Sequence, residues 1–160
     1  MDHKIDNGKI ISQKKIKINK NDNATNLYFK TIKTASSQII DIIKQIKSNQ
    51  IKSKKQDNKS KNYLRKRTYH DGQINWSSSN HTIHNLIRAL CYPYPNAHFK
   101  YKKKDIKVLK SSLGKNNNSN VEYGKIISIN NNYFEVKCGI SSIKIFKTNP
   151  KINLKLGDYL

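Results

Sequence analysis

The sequence predicts an α+β chain that consists of a strand–helix unit, a basic linker and a small β-rich region with one helix. Three observations lead to this prediction. Near the N-terminus, an alternating Ile/Lys run precedes a long amphipathic helical pattern. A polar, basic stretch without periodicity follows it. The remainder contains one short helical pattern and five or so strand-sized apolar runs between turn signals, which is typical of a small barrel or sandwich.

The N-terminal strand–helix unit is predicted from residue spacing. The run from Gly8 to Ile18 (GKIISQKKIKI) is rich in β-branched residues, and its second half alternates Ile and Lys as a half-buried strand does. Asp22, Asn23 and Thr25 are candidate helix N-caps. From there to about residue 48, apolar residues recur at spacings of three and four, which predicts an amphipathic helix with one buried stripe. The stripe consists of Tyr28, Ile32, Ala35, Ile39, Ile43 and Ile46.

The charge of the chain has two explanations. Among its 160 residues, 32 Lys and Arg oppose 10 Asp and Glu, for a net charge of +22. Lysines that neutralise phosphates could bind nucleic acid. However, Lys, Asn and Ile are in excess together, and A/T-rich codons encode all three, so codon bias accounts for most of the lysine. The basic segment 47–67 is accordingly interpreted as a solvated linker, with a strip that attracts RNA as the rival interpretation.

The second half of the chain begins with a turn signal at Asp71-Gly72. The segment from Ser77 to Asn80 supplies N-caps for a short helix, and the prolines at 93 and 95 end it. The apolar face of this helix consists of Ile83, Leu86, Ile87 and Leu90. Strand-sized runs follow, and the OB-fold is among the candidate architectures. These runs are AHFKY, IKVLKSSL, KIISI, YFEVKC, SIKIFK and KLGDYL.

The histidines form no convincing catalytic or metal-binding pattern. His81 and His84 are three residues apart on the predicted short helix, a spacing that can place two imidazoles on one metal ion. No third ligand accompanies them at a suitable spacing, so no metal site is predicted. His3, His70 and His98 show no nearby nucleophile–base pattern.

Aromatic residues and cysteines allow two further expectations. Trp76, Tyr92 and Tyr94 flank the short helix and could stack on a base or a sugar, although core packing around the helix end is the commoner role. Cys91 and Cys138 are far apart and fit two reduced thiols. No apolar run reaches the length of a signal peptide or a membrane span, so we expect a cytoplasmic protein without membrane contact.

The segment RTYHDGQINWSSSNHTIHNLIRALCYPYPNAHFKYKKKDIKVLKSS resembles the start of the C-terminal domain in the formyltransferase superfamily. The family pattern contains Arg-Thr, Asp-Gly, Ile-Asp-Trp, a helix ending Ile-Arg-Ala, and Pro-x-Pro-Gly-Ala-Phe. Asn75 stands where the family usually has Asp, and Asn96 stands where it has Gly. The superfamily includes methionyl-tRNA formyltransferase and enzymes that formylate an amino group on nucleotide sugars. The matching residues are Arg67, Thr68, Asp71, Gly72, Ile74, Trp76, Ile87, Arg88, Ala89, Pro93, Pro95 and Ala97.

The N-terminal stretch MDHKIDNGKI also resembles a family segment, Met-x-x-x-x-Asp-x-Gly-x-Ile. By this resemblance Asp6 corresponds to the catalytic aspartate. The resemblance implies that residues 1–48 are the C-terminal remnant of a formyltransferase catalytic domain, namely its last Rossmann-like strand–helix unit. Residues 49–66 are then the basic linker, and residues 67–160 are the OB-like C-terminal domain.

The resemblance implies transfer of a formyl group from formyl-tetrahydrofolate to an amine. A carboxylate such as that of Asp6 can accept a proton from the attacking amine. Hydrogen-bond donors must stabilise the negative charge that develops on the formyl oxygen. In the family those donors, an Asn and a His, lie upstream of the aspartate together with the folate pocket. We therefore expect that this chain alone binds no formyl-tetrahydrofolate and is inactive. Two alternatives stay open: the chain is a truncated or split remnant, or it is the C-terminal piece of an enzyme whose partner is a separately encoded N-terminal half.

The resemblance leaves the acceptor amine open between two classes. The Arg-Thr-x-x-Asp-Gly entry and the His-Asn-Leu-Ile-Arg-Ala helix are more similar to the sugar formyltransferases. The last third of the chain also lacks the Gly-Asp-Gly-Ala-Leu element of the tRNA enzymes. A nucleotide-linked amino sugar is therefore favoured over methionyl-tRNA. The alternative function is a non-catalytic RNA- or partner-binding module built on the OB-like domain.

Overall fold

The structure, a computed structural model, describes residues 8–57 and 62–160. These residues form two compact units. The first contains the described residues up to Asp22 and from Asn26 to Lys66, and the second contains Asn23–Thr25 and Arg67–Leu160. Asp6, the predicted catalytic residue, lies outside the described residues.

Helix α1 spans Ala24–Lys47, and the first unit is organised around its residues from Asn26 onward. The helix predicted between the candidate N-caps and residue 48 is thereby confirmed, and Asn23 directly precedes its first residue. The expectation of a buried stripe is wrong, because no residue of α1 is buried. All stripe residues except the half-buried Ala35 are exposed. A single amphipathic helix needs a second apolar layer to bury its face, and the described part of this unit supplies none on that side.

The strand predicted over Gly8–Ile18 is also wrong. In this segment only Ile10 forms a β-bridge, an isolated antiparallel pair with Lys54. Ile18, expected on the inner face, is 67% exposed. β-branched residues favour extended backbone, but a strand forms only where a neighbouring strand completes its hydrogen bonds, and the described residues offer this segment one bridge partner.

The second unit is built on one sheet of five strands, and every pair of neighbouring strands is antiparallel. In space the strands follow the order β1-β2-β5-β4-β3. Five of the six predicted strand-sized runs are confirmed. The strands are β1 (Ala97–Tyr101), β2 (Lys104–Leu113), β3 (Ile126–Ile129), β4 (Phe134–Lys137) and β5 (Ser142–Asn149).

The last predicted strand, KLGDYL, is not a strand. Its Tyr159 forms an isolated bridge with Lys125, next to β3 at the end of the sheet. Asp158 anchors this tail, because its carboxylate accepts hydrogen bonds from the Tyr101 hydroxyl at 2.7 Å and from the backbone N–H of Lys155 at 2.9 Å. The Lys155 N–H, followed by the Tyr101 hydroxyl, lowers the pKa of Asp158. Backbone hydrogen bonds also hold the tail beside the start of β3. The Ile126 N–H donates to the Asp158 carbonyl at 2.8 Å, and the Leu160 N–H donates to the Gly124 carbonyl at 3.0 Å.

Helix α2 spans Asn80–Ala89, which confirms the predicted short helix, and it packs on the sheet. Ser79 is its N-cap, and the Ser79 hydroxyl accepts a hydrogen bond from the Thr82 N–H at 3.1 Å. Ile83 and Ile87 on the predicted face are buried, and Leu86 and Leu90 pack against the same core. The core of the unit consists of Ile74, Trp76, Ile83, Ile87, Ala97, Phe99, Ile106, Val108, Ile126, Val136, Cys138, Ile143 and Ile145.

The coarse α+β class is therefore confirmed, with one antiparallel sheet and two α-helices in the described residues. Closure of the sheet into an OB-like barrel and the Rossmann-like origin of the first unit stay predictions. A search of residues 8–57 and 62–160 finds no helix with both the length and the apolar character needed to cross a bilayer.

Candidate functional site

The chain that follows Asp6 is tied to the segment after α1. The side-chain amide of Gln56 donates to the carbonyl of Gly8 at 2.6 Å. Ile10 and Lys54 exchange two backbone hydrogen bonds, of 2.8 and 2.9 Å. The catalytic role of Asp6 stays a prediction, but the backbone two to four residues after it is held by specific contacts within the first unit.

The entry motif of the second unit folds a turn. Residues Tyr69–Gly72 form a short 3₁₀ helix, which confirms the turn predicted at Asp71-Gly72. The carboxylate of Asp71 accepts hydrogen bonds from the Thr68 backbone N–H at 2.6 Å and from its hydroxyl at 3.2 Å. The Arg67 guanidinium lies 3.8 Å from the same carboxylate, but it is largely exposed and adds little stability. These family-matching residues thus have a structural role.

The two departures from the family pattern are both physically conservative. Asn75 Oδ1 accepts hydrogen bonds from the Ser77 N–H at 3.0 Å and from its hydroxyl at 2.7 Å, a turn that an Asp side chain makes equally well. Asn96 has φ of 69°, in the left-handed region where Gly is favoured and Asn is tolerated. The local geometry at both positions is therefore compatible with either residue type.

His98 is a buried histidine that the sequence did not distinguish. It lies on β1, and its ring stacks on that of Tyr69 with centroids 4.0 Å apart. Its Nε2 atom is buried and has no hydrogen-bond partner among the described residues. Desolvation lowers the pKa of His98. The Asp105 carboxylate and a hydrogen bond to the backbone of Asn96 oppose this shift, and the charges of His70 and Lys100 add to it.

The His81/His84 pair gains no further metal ligand in the structure. His84 Nδ1 lies 2.9 Å from the Ser111 hydroxyl, which ties α2 to β2. Desolvation lowers the pKa of His84, as do the positive charges of Arg88 and His81. Within residues 8–57 and 62–160, no group of three or more His, Cys, Asp or Glu side chains could hold a metal ion.

The aromatic residues around α2 divide into two environments. Trp76 is buried and meets Phe99 edge to face, with centroids 5.5 Å apart, so its expected core role is confirmed. Tyr92 and Tyr94 are exposed, and for them core packing is wrong. They follow the helix end in the segment that contains the two prolines, where the chain runs over the surface. Cys91 and Cys138 are both free thiols.

A buried polar network joins the start of α2 to the sheet. The Asn80 side-chain amide donates to the carbonyls of Ser142 at 3.0 Å and of Gly114 at 3.3 Å. The Ser142 hydroxyl donates to Glu135 and accepts from the Asn116 N–H at 3.0 Å. The polar groups of this network form hydrogen bonds with one another, which favours a structural role over ligand binding.

The outer surface of the sheet has a lysine–aromatic patch, formed by Lys110, Tyr133, Lys144 and Phe146. The rings of Tyr133 and Phe146 have centroids 5.5 Å apart. The Lys144 Nζ lies 4.7 Å from the Tyr133 centroid, and the Lys110 Nζ lies 5.7 Å from that of Phe146. The alternation of Lys144 and Phe146 along β5 was visible in the sequence, but the pairing that brings Lys110 and Tyr133 beside them was not.

The family of the chain follows from its second unit. Residues 66–156 match the family described as formyl transferase, C-terminal domain. This match covers more than half of the chain, including the entry motif, helix α2 and the whole sheet. The chain therefore belongs to the formyltransferase family.

Similar proteins act on two kinds of acceptor. The methionyl-tRNA formyltransferase of Pelagibacter ubique is 34% identical to 90% of this chain, and that of Clostridium novyi is 32% identical to all of it. An N-formyltransferase from Helicobacter canadensis, solved with folinic acid and dTDP-3-aminofucose, superposes with a TM-score of 0.65 over 91% of the chain at 28% identity. The chain spans about half the length of these proteins, namely 44%, 52% and 52%.

Proposed function

We propose that this chain is the C-terminal part of an enzyme that transfers a formyl group from formyl-tetrahydrofolate to an amine. The observation that supports this most is the family match over residues 66–156, together with a solved relative that holds folinic acid. Asp6 is the proposed proton acceptor for the attacking amine. The 160 residues alone are inactive in this proposal, because they correspond to about half of each relative.

The proposed acceptor is a nucleotide-linked amino sugar. Its support is the resemblance of the Arg67–Gly72 entry and the His84–Ala89 helix to sugar formyltransferases, and the solved relative that holds dTDP-3-aminofucose. Methionyl-tRNA is the rival acceptor, since two relatives are named for it. The residues of the entry are engaged in the turn, so the acceptor is not assigned to a contact with them. An OB-like barrel for residues 67–160 and a cytoplasmic location belong to the same proposal.

A formylation assay tests the proposal. The chain would be supplied with formyl-tetrahydrofolate and, in separate reactions, with dTDP-3-aminofucose and with methionyl-tRNA. The reactions would be run with and without the half of a relative that this chain does not match, supplied as a separate polypeptide. We expect product from the amino sugar only when that half is present, and loss of product with Asp6→Asn. Turnover by the chain without the added half would contradict its proposed inactivity. Formylation of methionyl-tRNA but not of the amino sugar would contradict the proposed acceptor.

The lysine–aromatic patch favours a second candidate function, a non-catalytic RNA-binding module. Aromatic rings with adjacent lysines can stack on unpaired bases while the ammonium groups meet the phosphates. In the ladder between β2 and β5, Lys110 lies opposite Lys147. Two like charges in such a position destabilise a sheet unless an anion offsets them. The residues from Arg67 onward contain 15 Lys and Arg against 5 Asp and Glu.

Binding of a single-stranded RNA oligonucleotide, measured by fluorescence anisotropy at several salt concentrations, tests this second candidate. Tyr133→Ala and Phe146→Ala should each weaken binding by about tenfold, because each removes one stacking surface. Tyr123→Ala is the matched control, since Tyr123 is an exposed tyrosine outside the patch. Equal affinities for all three variants, or affinity that does not change with salt, would reject the candidate.

A further inference from the structure

His98 is buried on β1 with one ring nitrogen that lacks a partner. The residue is 4% exposed, and its Nε2 atom has no hydrogen-bond partner among the described residues. The ring is hydrogen-bonded to the backbone of Asn96. Because Nε2 is unpaired, Nδ1 is the atom that makes this bond. A neutral imidazole tolerates the arrangement, since its Nε2 is then an uncharged acceptor. A protonated imidazole does not, because Nε2–H becomes a buried donor that carries charge.

The side chain of Tyr69 covers the imidazole. The two rings are stacked, and Tyr69 is itself 49% exposed, so it lies between His98 and solvent. Desolvation raises the pKa of Tyr69, and so does a hydrogen bond from its hydroxyl to the Asp105 carboxylate on β2. The stack and this hydrogen bond are two contacts that hold the Tyr69 side chain on the sheet.

The charges around His98 leave Asp105 as the partner for a protonated ring. Desolvation, the largest effect, lowers the pKa of His98, and the charges of His70 in the turn and Lys100 on β1 act in the same direction. Lys107 lies directly opposite His98 in the ladder with β2, so its positive charge is on the same face of the sheet. The Asp105 carboxylate opposes the shift. A proton on His98 is therefore stabilised by the same carboxylate that is hydrogen-bonded to the turn.

The turn, rather than the imidazole, is the part that can move. The strand that carries His98 is fixed at both edges, by its ladder with β2 and by the Ile74 N–H, which donates to the His98 carbonyl at 2.7 Å. The turn is stabilised by hydrogen bonds of its own. Asp71 accepts from the Thr68 N–H through its carboxylate and donates to the Thr68 carbonyl through its own N–H. The turn can thus leave β1 as a unit without losing these bonds.

We propose that His98 and Tyr69 form a pH-sensitive switch that attaches the turn Tyr69–Gly72 to β1. While His98 is neutral, the Tyr69 ring lies on the imidazole and its hydroxyl on Asp105. When His98 binds a proton, the Asp105 carboxylate pairs with the imidazolium, the Tyr69 ring leaves, and Nε2–H reaches solvent. The switch therefore controls how firmly the first residues of the second unit, from Arg67 onward, are attached to its sheet. This inference is independent of the proposed formyl transfer.

An NMR titration of the full chain from about pH 8 to pH 5 tests the proposal. The imidazole chemical shifts report the protonation of His98, and the nuclear Overhauser effect between the two rings reports the stack. We expect this effect to disappear with the same midpoint as the His98 titration. The amides of Ile143 and Ile145 on β5 should stay protected from exchange at that pH, because the change is local.

Two variants should move the midpoint of Tyr69 release in opposite directions, each by about half a pH unit or more. Asp105→Asn removes the charge that attracts the imidazolium, so release requires a lower pH. Tyr69→Phe keeps the ring but frees Asp105 to pair with His98, so release occurs at a higher pH. If these contacts only added stability, both variants would loosen the turn and move the midpoint in the same direction.

Glu122→Gln is the matched control. The Glu122 carboxylate accepts a hydrogen bond from the Tyr159 hydroxyl at 2.7 Å, which is the same kind of pair in another part of the second unit. This variant should leave the midpoint unchanged.

Four results would overturn the proposal. The first is a stack that persists while His98 is protonated, and the second is loss of β5 protection at the same midpoint, which indicates unfolding of the whole unit. The third is a shift in the same direction for Asp105→Asn and Tyr69→Phe. The fourth is an equal shift for Glu122→Gln. None of these measurements uses a substrate, so failure of the switch leaves the proposed formyl transfer untouched.

Discussion

The rings of Tyr69 and His98 are stacked, with centroids 4.0 Å apart and planes inclined by 28°. The stack places the 3₁₀ turn that opens the second unit against β1, and the adjacent Ile74 N–H donates to the His98 carbonyl at 2.7 Å. Gly72 completes this contact, since a Cβ at that position would lie 3.3 Å from His98 Nδ1. A buried imidazole therefore joins two segments that are distant in sequence.

Stability of the second unit should fall as the pH is lowered through the ordinary histidine range. The pKa of His98 is lowered in the folded state, so the unfolded chain takes up the proton first. The stabilisation is complete above the unfolded pKa, near 6.5, and is lost as the pH falls from there towards the folded pKa. Urea unfolding at pH 7.5 and 5 measures the loss. His98→Asn should reduce this pH dependence strongly. The exposed-site control His81→Gln should reduce it less, because it acts only through the pKa of His84. The same dependence in both variants would contradict the assignment.

Removal of the Asn80 side chain should destabilise the second unit. Asn80→Ala removes one hydrogen bond to each of the buried carbonyls of Ser142 and Gly114. The Ser142 carbonyl keeps the Gly114 N–H at 2.8 Å and the Gly114 carbonyl keeps the Ser141 hydroxyl at 3.2 Å. The loss of two hydrogen bonds should cost about 1–3 kcal/mol in total. Asn85→Ala is the matched control, because Asn85 is exposed on the same helix. Chemical denaturation of both variants provides the measurement. A difference of less than about 0.5 kcal/mol between them would show that the carbonyls find water instead.

Gly139 should tolerate no side chain. A Cβ there would lie 1.8 Å from the Ser77 carbonyl oxygen, and the Gly139 N–H already donates to the carbonyls of Trp76 and Ser78. Gly139→Ala must displace backbone and should cost at least about 2 kcal/mol of unfolding free energy. Gly8→Ala meets no atom within 4 Å and should change stability by less than about 0.5 kcal/mol. Comparable melting temperatures for the two variants would disprove this expectation.

The two cysteines should differ in reactivity. Burial raises the pKa of Cys138 to about 12, opposed by the charge of Lys137 and assisted by that of Glu135. Since the thiolate is the nucleophile, iodoacetamide at pH 8 should modify the partly exposed Cys91 and spare Cys138 in the folded protein. Mass spectrometry of digested protein measures the two sites. Modification of both cysteines at similar rates in native buffer would contradict the burial of Cys138. Modification of Cys138 only after denaturation is the expected result.

Hydrogen exchange of the isolated chain should be faster in residues 1–48 than in residues 68–160. No residue between Gly8 and Asp57 is buried, whereas the sheet and α2 enclose a continuous core. Peptide-resolved exchange measures both regions in one sample. Uniform protection across them would show that the first unit is as stable as the second.

Much of the second unit could be predicted because its signals are local. The spacing of Ile83, Ile87 and Leu90 specifies a helix face, and Ser79 provides a cap whatever the surrounding fold. The alternation in SIKIFK likewise predicts β5. The run KLGDYL is not a strand because a turn around Leu156-Gly157 takes up its middle, so that only a single bridge, between Tyr159 and Lys125, forms beside β3.

The candidate site was less predictable, since its groups are brought together by pairing. Nothing near His98 in sequence indicates a stack with Tyr69, and Lys110 approaches Phe146 only because β2 lies beside β5. Asp6, which the resemblance identifies, lies outside the described residues. Three residues that match the family pattern, Thr68, Asp71 and Trp76, have structural roles in the turn and the core. The match to the pattern did not by itself distinguish a structural role from a catalytic one.

By itself, the sequence determined the positions of the two helices, the five strand segments and the amphipathic pattern of α1. Each of these depends on hydrogen bonds or side-chain spacing within a short stretch of chain. Only the tertiary structure decided which apolar faces are covered. The apolar face of α2 is buried against the sheet, and the large side chains on the apolar face predicted for α1 are exposed. The reason is physical: periodicity shows that a face can be buried, whereas burial requires a second surface that the periodicity does not contain.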